Sequence, residues 1–315
     1  MVNKIPYKDR AEWLELRRGY IGGSDAGAVA GFNPWVGPYG VWLEKTGKAM
    51  GEDKSTITTE VGSYLEQFVA DKFTEETGKK VQRVNFILTN TEYPWACADI
   101  DRRIVGEDAI LECKTTNSFD NMKLIRGGEY PMTWYCQMMH YMAVTGAKKA
   151  YLAVLVASRD FQIFELERDE VEIDGLMKLE EEFWQNVMNE TPPAANAADA
   201  DAVSEFGNQA ATISDTPLDL TPETKLLQDY ADASDELDVA EKRVKELKTQ
   251  ICAAMGDYET GVASGFRVSW TPQTRRTFDT KKFGAVTKMD LTPYYKESTS
   301  RVFRFSKVNT APQGE

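Results

Sequence analysis

One stretch of the chain, residues 96–117, combines acidic and basic side chains with a turn in a way that could do chemistry. Two strand-like runs flank a turn-prone Val-Gly-Glu-Asp, which predicts a β-hairpin. With the turn centred on its Gly-Glu pair, Asp101 lies directly opposite Glu112, and opposed side chains on one face lie close together. Because side chains alternate along a strand, Glu112 and Lys114 share a face. The stretch therefore predicts two carboxylates and an ammonium group on one face of adjacent strands.

Two facing carboxylates are costly to bury, because they repel each other and lose their hydration. A divalent cation between Asp101 and Glu112 would relieve that cost, and Lys114 would then orient or activate a metal-bound water for attack on phosphorus. Asp99 has the same parity as Asp101 and lies opposite Lys114 in the same hairpin, so it is an alternative ligand. The pattern D…ExK is also short and common, and an ordinary surface hairpin stays open as an explanation.

A further carboxylate, Glu66, lies on a predicted helix over residues 60–77. The apolar stripe of this helix consists of Leu65, Phe68, Val69 and Phe73. Glu66 lies at the edge of the stripe, and a carboxylate at the border of a buried face can point into a site beside a sheet. An ordinary glutamate at the rim of the helix is the alternative.

The cysteine and histidine contents limit the kind of metal. The cysteines contain no C-x-x-C pair, which excludes zinc-ribbon, thioredoxin-like and iron–sulfur signatures, and their surroundings predict buried free thiols. His140 is the single histidine, and we predict that it packs in the interior or supports the site from behind. A catalytic metal would therefore be held mainly by carboxylates and carbonyls, which favours Mg²⁺ or Mn²⁺.

The sequence predicts a soluble, cytoplasmic protein without membrane association. No apolar run approaches the roughly 20 residues that a membrane-spanning helix needs. The N-terminus has no apolar core of the secretory type.

The order of helix-like and strand-like patterns in residues 1–190 predicts an α/β core in which helices flank a small mixed sheet. Helical periodicity covers residues 9–18, 24–31, 38–47, 60–77, 118–127, 131–145 and 174–190. Strand alternation covers residues 84–89, 95–104, 109–115, 150–157 and 161–166.

The rest of the chain differs in composition and charge. Residues 191–220 are rich in Ala, Asp and Pro and predict a linker, and residues 221–315 predict a long amphipathic helix followed by a basic, β-rich region. The helix is predicted to be a packing helix or a short coiled coil. The net charge of −13 is the sum of −18 over residues 165–260, +7 over residues 261–308 and small contributions elsewhere. The basic end could contact a DNA backbone or dock onto the acidic segment, and both stay open.

Several sequence blocks occur together in one order over about residues 10–190. They are LRRGYIGGSDAGAVAGFNPW, YGVWLEKTG, the G-x-x-x-E of residues 62–66, the D…ECK hairpin and IRGGEYPMTWYCQMMHYMAVTG. In these blocks the chain resembles the YqaJ-type phage recombinase nucleases, which are related to lambda exonuclease within the PD-(D/E)xK superfamily. The resemblance implies the core of that superfamily, a central mixed sheet flanked by helices, to which this chain adds its C-terminal helix and small basic extension.

The resemblance also implies roles for individual residues. Asp101 and Glu112 match the metal ligands, with the backbone carbonyl of Cys113 as a third, and Lys114 matches the catalytic lysine. Asp101 is favoured over the neighbouring aspartate because the family aspartate precedes an R-x-I/L-V run. The helix carboxylate that supports the metal site corresponds to Glu66, and a glutamine near the nucleophile corresponds to Gln137.

Arg17 and Ser24 match the pair that binds the terminal 5′-phosphate in the lambda enzyme. Independently, Ser24 and Asp25 can cap a helix that begins near Ala26, and a helix N-terminus attracts anions. An arginine nearby adds a bidentate phosphate clamp. Two alternatives stay open: Ser24 as a purely structural cap, and Arg18 in place of Arg17.

The function that follows is a Mg²⁺- or Mn²⁺-dependent 5′→3′ exonuclease acting on double-stranded DNA ends in phage or prophage recombination. The resemblance further implies a single-strand annealing protein as a partner and allows a ring-shaped homo-oligomer. An endonuclease of the same superfamily and a non-catalytic DNA-end-binding recombination scaffold are the alternatives.

Overall fold

The computed structural model describes residues 1–48, 56–209, 217–287, 290, 292–296 and 303–306. The chain divides into two compact units, one covering Met1–Ala211 with Ser300–Glu315 and the other Thr212–Thr299. Every residue for which the sequence predicts a role in a site belongs to the first unit.

The helices predicted within residues 1–190 are confirmed to within four residues at each end. They are α1 (Arg10–Arg18), α2 (Gly23–Val29), α3 (Pro38–Lys45), α4 (Ile57–Thr77), α5 (Phe119–Arg126), α6 (Met132–Thr145) and α7 (Glu170–Met188). The strands are β1 (Val2–Ile5), β2 (Ile21–Gly22), β3 (Val81–Arg83), β4 (Ile87–Asn90), β5 (Tyr93–Ala98), β6 (Arg102–Ile104), β7 (Ala109–Thr116), β8 (Lys149–Val156) and β9 (Asp160–Glu167).

Strand β7 is the middle of a five-stranded sheet with the order β3-β6-β7-β8-β9. It runs parallel to β8 and antiparallel to β6, so the sheet is mixed, as predicted. In the hairpin of β6 and β7, Arg102 pairs with Leu111 and Arg103 pairs with Ile110. This is the predicted register, and its continuation sets Asp101 opposite Glu112.

The single strand predicted for residues 95–104 is wrong. The chain leaves β5 at Ala98 and enters β6 at Arg102, and the two strands belong to different sheets, because β5 lies in a four-stranded sheet with the order β1-β4-β5-β2. The predicted strand 84–89 corresponds to β4, which begins three residues later, at Ile87, and ends at Asn90. Asp99 therefore lies in the connection between two sheets, and its predicted pairing with Lys114 does not occur in a ladder.

The two faces of β7 pack against different helices. Ile110 belongs to the large core that contains residues of α6 and α7, whereas Leu111 packs with Val69 and Phe73 of α4. Period-two alternation therefore directs Glu112 and Lys114 to the α6 side of the sheet. The apolar stripe predicted for α4 is wrong at Phe68, which is 51% exposed.

The predicted linker 191–220 contains ordered structure. A short 3₁₀ helix (Ala197–Asp199) and α8 (Ala200–Gln209) lie within it. Asp199 is fully buried, and its carboxylate accepts hydrogen bonds from the backbone N–H groups of Tyr39 and Gly40 at the start of α3. These otherwise unpaired amides explain why an acidic side chain is buried there. Residues 210–216 of the predicted linker lie outside the described residues.

The second unit contains the predicted long helix, α9 (Thr224–Met255), followed by the hairpin of β10 (Thr260–Ala263) and β11 (Phe266–Ser269). Helix α10 (Thr280–Thr287), within the predicted β-rich region, was not predicted. At the C-terminal end of the predicted β-rich region, residues 303–306 are described without strand structure, and residues 297–302 and 307–315 lie outside the described residues. Among the described helices, none is both long enough and apolar enough to cross a membrane.

His140 is fully buried and forms an ion pair with Glu180 of α7. Its Nδ1 lies 2.8 Å from Oε1 of Glu180, and its Nε2 lies 2.8 Å from the carbonyl oxygen of Cys97 in β5. Burial alone would lower the pKa of His140, but the Glu180 carboxylate raises it above its ordinary value. Because both ring nitrogens face acceptors, the imidazolium form joins α6, α7 and β5, as the predicted packing role requires.

We expect Glu180→Gln to reverse the pH dependence of stability that this pair contributes. In the native protein the raised pKa of His140 gives stability that is complete below about pH 6.5 and is lost as pH rises through the raised value. In the variant His140 is buried and neutral, so its contribution falls as pH drops below about 6.5. Near pH 6 the free energy of unfolding should fall by about 3–5 kcal/mol. Urea unfolding across this pH range measures both curves, and parallel curves would refute the assignment.

Candidate active site

The predicted carboxylate pair meets at the start of the hairpin of β6 and β7. Oδ2 of Asp101 accepts a hydrogen bond of 2.7 Å from the backbone N–H of Cys113. Glu112 is buried, and its Oε1 lies 2.7 Å from Nζ of Lys114. Its other oxygen, Oε2, is buried without a hydrogen-bond partner among the described residues. An unpaired buried carboxylate oxygen is costly, which marks this position as one that a bound group would satisfy.

The electrostatics of the pair follow from its burial. Burial raises the pKa of Asp101 well above its ordinary value, and the negative charges of Glu112 and Glu66 raise it further. Burial also raises the pKa of Glu112, although the Lys114 ammonium group opposes that change. Burial alone would lower the pKa of Lys114, but Glu112 raises it, so the lysine is charged at neutral pH.

Gln137 of α6 connects these groups on the predicted face. Its side-chain oxygen accepts a 2.9 Å hydrogen bond from Nζ of Lys114, and its amide nitrogen donates a 2.9 Å bond to Oε1 of Glu112. The same nitrogen lies 3.0 Å from the hydroxyl of Tyr141, one turn further along α6. The lysine is therefore held between a carboxylate and an amide that is itself fixed by a tyrosine.

Glu66 reaches the pair through Arg102, which the sequence analysis missed. The Arg102 guanidinium is 2% exposed, forms an ion pair with Glu66 and donates a 2.8 Å hydrogen bond to the carbonyl oxygen of Asp101. It also donates a 3.1 Å bond to the side-chain oxygen of Gln67. Arg102 thus fixes both the helix carboxylate and the backbone of Asp101. Arg102 directly follows Asp101 in the sequence, and this position is the signal that could have identified it. Arginine in a short strand is usually exposed, so the signal is weak.

Arg17 and Ser24 form a second part of the site. Nη2 of Arg17 donates a 2.6 Å hydrogen bond to Oγ of Ser24, which leaves the serine hydroxyl hydrogen available to another acceptor. Burial alone would lower the pKa of Arg17, but Asp25 raises it. Ser24 is not the helix cap: α2 begins at Gly23, and the Asp25 carboxylate accepts the 2.9 Å bond from the backbone N–H of Gly22. The structural-cap alternative for Ser24 is therefore wrong.

Asp99 is tied to Trp13, a residue that the sequence analysis did not single out. Its Oδ2 accepts a 2.7 Å hydrogen bond from Nε1 of Trp13. The guanidinium of Arg17 lies over the same indole ring, 4.8 Å from its centroid. Asp99 therefore supports the arginine through the tryptophan.

A cavity of about 200 Å³ joins the two parts of the site. Its lining includes Arg17, Ser24, Asp101, Glu112 and Gln137. Two glycines make this arrangement possible, because a Cβ atom on Gly22 would lie 2.7 Å from Nη2 of Arg17 and one on Gly23 would lie 2.4 Å from the Tyr141 ring. The Arg17–Ser24 pair and the acidic pair thus face one half-open cavity.

The donors fit a hard cation better than a zinc-like ion. Within the described part of the chain, no group of three or more His, Cys, Asp or Glu side chains is arranged to hold a metal. The carboxylates that line the cavity are those of Asp99, Asp101 and Glu112, and carboxylate oxygen suits a hard ion that keeps several water ligands. The unpaired oxygen of Glu112 is the observation that supports a fit.

Comparison with known proteins places these residues in a family context. A family model described as the YqaJ-like viral recombinase domain matches residues 12–148, a range that includes both parts of the site. The uncharacterised protein YqaJ of Bacillus subtilis (strain 168) is 38% identical over 277 residues, covering 87% of this chain and 86% of that protein.

Solved structures show a similar fold. The crystal structure of LHK-Exo in complex with dAMP has a TM-score of 0.50 at 18% identity, covering 57% of this chain and 94% of that chain. LHK-Exo is an alkaline exonuclease from Laribacter hongkongensis, and a second crystal structure of it has a TM-score of 0.49 at the same identity and coverage. The central mixed sheet and its flanking helices are thus the fold of a known exonuclease structure.

Proposed function

The chain belongs to the YqaJ-like viral recombinase domain family, and from that premise we propose that it is a metal-dependent deoxyribonuclease that digests double-stranded DNA from its ends in the 5′→3′ direction. The observation that carries the proposal is the buried, unpaired Oε2 of Glu112 beside Asp101 in a cavity that also contains Arg17 and Ser24. The fold neighbour LHK-Exo is an alkaline exonuclease, in agreement with this proposal.

In this proposal Asp101, Glu112 and the backbone carbonyl of Cys113 hold Mg²⁺ or Mn²⁺. The ion would supply a Lewis acid and lower the pKa of a water molecule. Glu66 supports the site from α4, where Arg102 fixes its carboxylate. Burial and the negative charges of Glu112 and Glu66 raise the pKa of Asp101, and a bound cation would offset that repulsion between like charges.

Lys114 and Gln137 orient the attacking water and the scissile phosphate. The lysine is charged, and Glu112 and Gln137 fix its Nζ at 2.7 and 2.9 Å. A fixed ammonium group stabilises the negative charge that develops on the phosphate oxygens in the transition state. Tyr141 restricts Gln137 through its hydroxyl, so little reorganisation is needed when substrate binds.

Arg17 and Ser24 bind the terminal 5′-phosphate. The arginine offers its remaining N–H donors and the serine its hydroxyl hydrogen, a combination suited to phosphate oxygens. Because both groups line the same cavity as the acidic pair, a bound end phosphate lies close to the bond that is cut. This shared space supports an end requirement, and therefore exonuclease rather than endonuclease action.

Family membership also supports the cellular setting that we propose. The protein would act in the cytoplasm of a bacterial host during phage or prophage recombination, and a single-strand annealing protein would coat the strand that it exposes. A ring-shaped homo-oligomer enclosing the duplex is part of the same proposal.

Digestion of matched DNA substrates tests the function. We expect linear duplex with 5′-phosphate ends to be degraded in Mg²⁺, 5′-hydroxyl ends to be degraded more slowly, and closed circles to be left intact. EDTA should abolish all cleavage. Cleavage of closed circles would favour the endonuclease alternative, and end binding without cleavage in either metal would favour the recombination scaffold.

A further inference from the structure

Helix α9 of the second unit, 32 residues long, carries an exposed apolar seam. The seam residues recur at alternating spacings of four and three, which is the heptad pattern of a coiled coil. They are Leu226, Tyr230, Ala233, Leu237, Ala240, Val244, Leu247 and Ile251. Leu237 is 57% and Val244 is 64% exposed, whereas Ala231, the residue of α9 that is buried, lies off the seam.

A seam of this length is unfavourable in water. Helices gain most of their stability in proteins by covering an apolar face, and a long exposed apolar stripe marks an interaction site. The seam extends over nearly the whole of α9, so an occupant that covers it must be equally long and have the same repeat. We propose that α9 pairs with α9 of a second copy of this chain as an antiparallel two-stranded coiled coil.

The sizes of the seam residues favour the antiparallel direction. In that direction a single register pairs every seam residue of one copy with a seam residue of the other. The layers are Leu226 with Ile251, Tyr230 with Leu247, Ala233 with Val244, and Leu237 with Ala240. A parallel, in-register pair would instead set Ala233 against Ala233 and Ala240 against Ala240, leaving poorly filled layers between bulky ones.

The charges beside the seam favour the same direction. Glu236 and Arg243 each precede a seam residue, in the position that faces its equivalent across an antiparallel coiled coil. The register above sets Glu236 of each copy opposite Arg243 of the other, which gives two attractive pairs. In a parallel pair Glu236 would face Glu241, and Arg243 would face Lys248, and both contacts are repulsive.

Light scattering during gel filtration of the full-length protein tests the pairing. We expect the native mass to be an even multiple of the 35.4 kDa chain, and Leu237→Glu to halve it. Val239→Glu is the matched control, because Val239 is 71% exposed on the same helix but lies outside the seam, and its mass should equal the native one. A native monomer at micromolar concentration, or an unchanged mass in Leu237→Glu, would overturn the proposal.

Exchange of the charges at Glu236 and Arg243 tests whether the two helices are antiparallel, and it introduces no charge into the seam. Glu236→Arg and Arg243→Glu should each weaken the pairing about tenfold, and the double variant should restore it, because each pair is then attractive again. In a parallel coiled coil the arginine of Glu236→Arg would face Glu241 and strengthen the pairing. Stronger pairing in Glu236→Arg would therefore show that the antiparallel assignment is wrong. Neither set of variants touches the cavity, so the result does not depend on the proposed nuclease activity.

Discussion

Lys114→Ala is expected to lower the rate of duplex digestion by about 10²–10⁴-fold, the contribution typical of a positioned proton-transfer or charge-stabilising group. The reason lies in how the ammonium group is held. Glu112 and Gln137 fix it from two sides at 2.7 and 2.9 Å, and Glu112 keeps it charged. Alanine removes both this positive charge and its contacts with Glu112 and Gln137. Single-turnover digestion of a linear duplex in saturating Mg²⁺ measures the loss.

A second lysine in the same sheet provides the control. Lys149 lies on β8, next to β7, and forms ion pairs with Glu165 and Glu167 on the surface. Lys149→Ala removes the same side chain without reaching the cavity and should retain native activity. Full activity in Lys114→Ala would contradict the catalytic assignment, and an equal loss in both variants would point to damage to the sheet instead.

The register of the hairpin of β6 and β7 could be predicted from sequence because its determinants are local. A tight turn fixes which residues oppose each other, and alternation fixes the faces, so Asp101 and Glu112 could be paired without knowledge of the fold. The same reasoning gave a wrong prediction at Asp99, two residues before Asp101. Alternation continues through Asp99, but it carries no information about which sheet each half of a strand joins, and here the chain changes sheets.

The buried polar residues that sequence reasoning missed depend on contacts between distant segments. The guanidinium of buried Arg102 contacts Glu66 and Gln67 of α4, about 35 residues earlier in the chain. Asp199 accepts hydrogen bonds from α3, some 160 residues away in the chain. The composition of the segment around Asp199 is that of a linker, and it gives no sign of this distant partner. A polar side chain whose partner lies far along the chain has the local pattern of an exposed one, so burial of this kind becomes visible only in three dimensions.

The second large effect concerns the DNA end rather than the chemistry. Arg17→Ala is expected to reduce the preference for 5′-phosphorylated over 5′-hydroxyl duplex ends by about 10–10²-fold, the equivalent of one lost charge-assisted contact. Trp13 and Ser24 fix the guanidinium before substrate arrives, at 4.8 Å from the ring centroid and 2.6 Å from the hydroxyl oxygen. A preorganised group loses little entropy on binding, which is why its removal should be costly.

Arg18→Ala separates this role from a general effect of positive charge, because Arg17 and not Arg18 is among the described residues that line the cavity. The ratio of digestion rates on the two kinds of end should be native in Arg18→Ala and much reduced in Arg17→Ala. Lys114→Ala should slow both substrates alike and leave the ratio near its native value, since the proposed role of the lysine is at the bond being cut. A native ratio in Arg17→Ala, or an equal loss of the ratio in Arg18→Ala, would contradict the proposal that the end phosphate binds in this cavity. Loss of the ratio in Arg17→Ala together with loss of the rate in Lys114→Ala would mean that different residues carry end recognition and cleavage.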